Sequence, residues 1–137
     1  MPENIKGMAN NVEYWLEMSD YDYETAIAMM NTRRYLYVGF MCHQTIEKAL
    51  KAYWSSKMDT PPLKIHSLSR LAALSGLIES CSEEQMDFVD ALEPLNIEAR
   101  YPTYKEQLIR HLSAEYCQSL LHNTKEFQSW IKTKLSE

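Results

Sequence analysis

From Asn11 to Leu135, apolar and small residues return every three or four positions. In a chain of 137 residues with only three glycines, that rhythm makes helices packed on helices the natural route to a core. Val12, Trp15, Leu16, Ser19, Tyr23, Ala26 and Met30 form one stripe, which predicts a helix over roughly 11–32. The stretch "NTRRY" breaks the pattern, and a second helix is expected from about Tyr35 to Lys57. Its densest face holds Gly39, Cys42, Ile46, Ala49, Leu50 and Tyr53, yet Met41, Thr45 and Ala52 on the other side carry no charge either. A helix apolar on two sides is either central in a bundle or also buried against another chain.

The prolines and the cap signals divide the rest. "MDTPPLKI" cannot stay helical, because each proline lacks an amide donor and disfavours the α region in the residue before it. A short helix then resumes, with Ser67 as its cap and Gly76 at its end. Ser82 and Gln85 have the spacing of a capping box and open a fourth helix carrying Met86, Val89 and Leu92, which Pro94 kinks or divides. Pro102 forces a further interruption, after which a last helix from about Ser113 to Leu135 presents Cys117, Leu120, Leu121, Thr124, Phe127 and Ile131. The expectation is an all-α fold, a four- to five-helix up-and-down antiparallel bundle. No internal repeat, low-complexity tract or linker divides the chain, so residues 1–137 read as one domain with its core at about 11–135.

Three widely spaced cysteines, Cys42, Cys81 and Cys117, suit free thiols in a reducing compartment better than a disulfide framework. The opening "MPENIKGMANN" has no apolar signal-peptide core, and no later run nears the ~18 apolar residues of a membrane span. The expectation is a cytoplasmic protein. The net charge of −5 argues against indiscriminate nucleic-acid binding by counterion release.

The charges are nonetheless segregated. Residues 71–98 contain seven acidic side chains and none that is basic. Residues 48–70 hold Lys48, Lys51, Lys57, Lys64 and Arg70 against Asp59 alone, and residues 99–111 add Arg100, Lys105 and Arg110 against Glu106. If the two basic segments meet, an acidic protein has one place suited to phosphate; the alternative is scattered surface charge.

The stretch "HQTIEKALKAYW" is the most informative piece. His43, Glu47, Lys48 and Lys51 sit together along an otherwise apolar helix and border its core face. The i,i+4 pairs His43–Glu47 and Glu47–Lys51 can stabilise a helix by about 0.2–0.5 kcal/mol each with no ligand present. His66 precedes a helix, where it either bonds the free amides or faces a ligand. Arg100 ends an acidic segment and suits an ion pair or a phosphate, and Tyr101 suits packing or stacking on a base.

Four stretches, "YWLEMSDYDYETAIAMM", "YLYVGFMCHQTIEKALKAYW", "KIHSLSRLAAL" and "ARYP", come in the order and spacing seen in HEPN domains, and the chain resembles that family from about Val12 to Leu135. The resemblance implies a helical bundle that commonly dimerises. It also implies a prokaryotic gene often placed beside a small nucleotidyltransferase in a toxin–antitoxin or defence module. Many family members are metal-independent ribonucleases built on an Arg followed, after four to six residues, by a His. No His stands at that spacing after Arg33, Arg34, Arg70, Arg100 or Arg110, so the ribonuclease signature is absent here.

The leading expectation is therefore a non-catalytic HEPN-type module that forms a homodimer and binds a nucleotide or a nucleotidyltransferase partner. Its ligand-binding set comprises His43, Glu47, Lys48, Lys51, His66, Arg100 and Tyr101. Lys48, Lys51 and Arg100 would meet phosphate, Glu47 would orient Lys51, and Tyr101 would stack. The enzymatic alternative is a ribonuclease with His66 as general base and Arg100 as transition-state cation. The third is pure dimerisation through Met41, Thr45 and Ala52. No Glu is followed three residues later by a His, so the di-iron pattern of helical bundles is missing, and no metal or other cofactor is expected.

Overall fold

A computed structural model describes residues 11–98 and 101–136. Among them are six α-helices and no strand: α1 (Asn11–Asn31), α2 (Tyr35–Lys57), α3 (Leu68–Ser75), α4 (Glu83–Leu92), α5 (Pro102–His111) and α6 (Ala114–Lys134). Single 3₁₀ turns at Leu77–Ser80 and Glu93–Leu95 follow α3 and α4. The fold is all-α with bundle-like packing.

The helix ends are written in short-range chemistry. α1 stops because Arg33 turns left-handed, at φ 62°, so that the Arg34 amide reaches Met29 and the Arg33 amide reaches Met30. This nested pair is a Schellman closure made without glycine, at a cost of roughly 1 kcal/mol, and it returns α2 antiparallel to α1 after three residues. Ser67 accepts from the Arg70 amide to start α3, and Gly76, at φ 87°, ends it. Ser82 and Gln85 form the full reciprocal capping box of α4, and Ser113 caps α6 by accepting from Tyr116.

α2 is the axis of the bundle. It packs on α1 and α6, and also against α3, α4 and α5. Its dense face is buried as expected, with Cys42, Ile46, Ala49 and Leu50 fully enclosed. Thr45 and Ala52 on the second side are also fully buried, within this same chain. The Ser19 hydroxyl of α1 donates to the Thr45 carbonyl at 2.7 Å, and Gln128 of α6 donates to Ser19 at 2.9 Å. The expected dimer seam through Met41, Thr45 and Ala52 is thereby corrected: α1 covers that side, and α2 is two-sided because it is central.

A second correction concerns Pro102. It starts α5 instead of merely interrupting the chain, because a proline at the first helical position gives up an amide that would be unpaired anyway. α5 buries no side chain completely and is held by Leu108 against the core and by the Tyr104 hydroxyl donating to the Pro94 carbonyl at 3.0 Å. Pro94 itself divides the chain as expected, ending α4 in the Glu93–Leu95 turn.

Candidate functional site

One turn apart along α2, His43, Glu47 and Lys51 all point to the side covered by the loop that precedes α3, and all three are buried. Glu47 is the hub. Its Oε2 accepts from Lys51 Nζ at 3.0 Å, and both of its oxygens lie 3.1 Å from His66 Nδ1. An ionised carboxylate can only accept, so Nδ1 carries the proton toward Glu47 and Nε2 is left for other partners. His43 Nδ1 lies 3.8 Å from Glu47 and 3.2 Å from the Gln44 side-chain oxygen. Lys51 also approaches the Trp15 ring of α1, at 5.4 Å from its centroid.

Glu93 extends the network to the start of α3. Its carboxylate accepts from the Leu68 amide at 2.8 Å and from the Ser67 and Ser69 hydroxyls at 3.1 Å each, while His43 Nε2 lies 3.9 Å away. Partial burial alone would raise its pKa. The His43 ring, the Leu68 and Ser69 amides and the Ser69 hydroxyl outweigh that burial and hold the carboxyl down to about 2. A carboxylate at the positive end of a helix is the expected occupant of such a position. Glu93, from a turn 25 residues downstream, therefore does the amide-bonding that was weighed for His66, and His66 turns to Glu47. Its only signal in the sequence was an acid next to a helix-dividing proline.

Lys48 belongs to a different contact, an ion pair with Asp22 of α1 at 2.8 Å. Tyr101 immediately precedes α5 and is 83% exposed. Arg100 lies outside the described residues. The structure thus brings together His43, Glu47, Lys51 and His66, adds Glu93, and separates Lys48 from them.

His66 is the outlet of this network, with 56% of its side chain exposed, while Lys51 and Glu47 are 8% and 2% exposed. Lys51 spends its charge on Glu47, and moving either alone would strand the other in a poorly hydrated site. Lys64 and Arg70, two residues before and four residues after His66 in the chain, are both exposed. Chemically, the arrangement can hold one half-exposed imidazole in a fixed tautomer and orientation. The thiols offer little reactivity: burial pushes Cys42 up to about 12 and Cys117 up to about 11. Among the described residues no His, Cys, Asp and Glu side chains gather as a set of metal ligands, and no helix is long and apolar enough to cross a membrane.

No curated protein and no solved structure matches the chain significantly. A family model described as HEPN domain matches residues 12–134, nearly the whole length, over the helices that build and surround this network. The chain belongs to the HEPN domain family.

Proposed function

We propose that this HEPN domain is a non-catalytic binding module that meets nucleotide phosphate at the His66 outlet. The observation that carries the proposal is the fate of the basic residues in 48–70. Lys48 and Lys51 are neutralised internally, whereas Lys64 and Arg70, which flank His66 in the sequence, stay exposed with Asp59 as the single acid in that stretch. The Glu47 network anchors the imidazole, so less side-chain freedom is lost when a ligand binds. Arg100 and Tyr101 complete the site in this reading, as a bidentate phosphate clamp and a stacking face. The module works as a cytoplasmic homodimer in a prokaryotic toxin–antitoxin or defence pair, with a nucleotidyltransferase as its protein partner.

Calorimetry with ATP, GTP and short RNAs tests the ligand. Saturable binding that is weakened by Lys64→Ala with Arg70→Ala, and separately by His66→Ala and Arg100→Ala, is expected. Flat titrations with the wild-type protein would remove the nucleotide site. The oligomer is tested by light scattering, which should return twice the 16.1 kDa chain mass.

One observation favours a second reading. An imidazole whose Nδ1–H is held by a carboxylate while Nε2 points elsewhere is the arrangement of a general base. In that reading His66 takes the proton of a ribose 2′-hydroxyl and Arg100 stabilises the developing charge. Incubation with labelled RNA in the presence of chelator decides it. Cleavage lost in His66→Ala supports the ribonuclease, and no turnover at high protein concentration rejects it.

A further inference from the structure

A different part of the molecule, sharing no residue with the His66 network, holds an open cleft of about 600 Å³ between the start of α4 and the middle of α6. Its lining includes Phe88, Phe127 and Trp130, with Glu84 and Glu126 among its polar members. The aromatics form a continuous surface. Phe127 and Trp130 stack at 5.8 Å with 14° between their planes, and Phe88 meets Phe127 edge-on at 6.3 Å. Such rings present electron-rich faces, and one of them already takes a cation of this chain, with Lys134 Nζ lying 5.3 Å from the Trp130 centroid.

The surrounding charge points the same way. α4 bears Glu83, Glu84, Asp87 and Asp90, all exposed, and no basic residue occurs anywhere in 71–98. On the α6 side the nearby positive groups have partners within the chain: His122 pairs with Glu126 at 3.3 Å, Lys125 turns to the Tyr23 ring and to Gln128, and Lys134 lies against Trp130. The cleft therefore combines an aromatic lining with an acidic border on α4.

We propose that this cleft docks a short basic segment of a protein partner, with a Lys or Arg side chain among Phe88, Phe127 and Trp130 and its basic neighbours facing the carboxylates of α4. Charge complementarity selects the occupant: the border would repel the phosphate expected at the His66 outlet and attract lysine and arginine. The inference shares no residue with that outlet and stands or falls apart from it.

The test uses the full chain and a fluorescent amphipathic peptide of Lys and Leu, with a Glu and Leu peptide as control. Binding of the basic peptide alone is expected, with amide NMR shifts centred on Phe88, Asn123, Phe127 and Trp130. The reversal Glu84→Lys with Asp87→Lys, both on the exposed face of α4, should weaken it about tenfold. The same reversal at Glu13 and Glu17 of α1 should leave it unchanged. The proposal is overturned by shifts centred elsewhere, by equal sensitivity to both reversals, by equal binding of the acidic peptide, or by no binding at all.

Discussion

Two histidine–glutamate pairs with the same i,i+4 spacing lie on two helices of this bundle and have opposite consequences. His122 and Glu126 on α6 are 3.3 Å apart and 71% and 69% exposed. His43 and Glu47 on α2 are farther apart, at 3.8 Å, yet only 1% and 2% exposed. Water screens the closer pair and both side chains lose freedom in making it, so its net worth is small. The buried pair sits in a group that has given up its hydration, where each member depends on the others being present. Spacing and distance do not rank these contacts; burial does.

The largest expected effect comes from removing the hub. Glu47→Ala leaves Lys51 buried without a counter-charge and should cost about 3–5 kcal/mol in urea unfolding. Adding Lys51→Met should recover a large part of that loss. If Glu47→Ala costs no more than Glu126→Ala, the distinction between the two pairs is broken.

Glu93→Gln ranks next, at roughly 2–3 kcal/mol near neutral pH, the scale set by a carboxyl lowered from 4.5 to about 2. A depressed carboxyl adds stability that is fully present above its unfolded pKa and is lost as pH falls through the folded one. The gap between wild type and Glu93→Gln should therefore close between pH 4.5 and about 2, followed by chemical unfolding at each pH.

His66→Ala removes the half-exposed member of the network and should cost about 1 kcal/mol or less. A thermal midpoint nearly unchanged, together with lost nucleotide affinity, would separate its proposed ligand role from a structural one. Smallest of all, Glu126→Ala should shift stability by less than about 0.5 kcal/mol, and that small difference should vanish in high salt. A larger loss would show that exposure alone does not explain the contrast.

Much of the fold was legible because its signals are local. The cap serines at 67 and 82, Gly76 and the divided helix at Pro94 each act through neighbours a few residues away, and each stands where the sequence reading put it. Pro102 was misread because the same residue both breaks a helix interior and begins a helix, and only the chain after it distinguishes the two. The second face of α2 was ambiguous for a related reason: pattern shows that Thr45 and Ala52 avoid water and cannot say what covers them.

The candidate site was half legible. The cluster on α2 is visible because i,i+4 neighbours share a face whatever the tertiary fold, and His43, Glu47 and Lys51 do meet. Lys48 looked equivalent to Lys51, but α1 offers it Asp22, 26 residues earlier in the chain. Glu93 went unnoticed as a site residue because its partners are amides brought to it by folding.

The sequence by itself determined the helices, most of their ends and the presence of one ionisable cluster on the central one, since backbone hydrogen bonding, capping and helical periodicity act within a few residues. Only the tertiary structure decided which of those charges are buried, that Glu47 serves Lys51 and His66 together, and that Glu93 holds the start of α3. Desolvation and long-range pairing depend on what lies across the core, and that information is distributed over the whole chain.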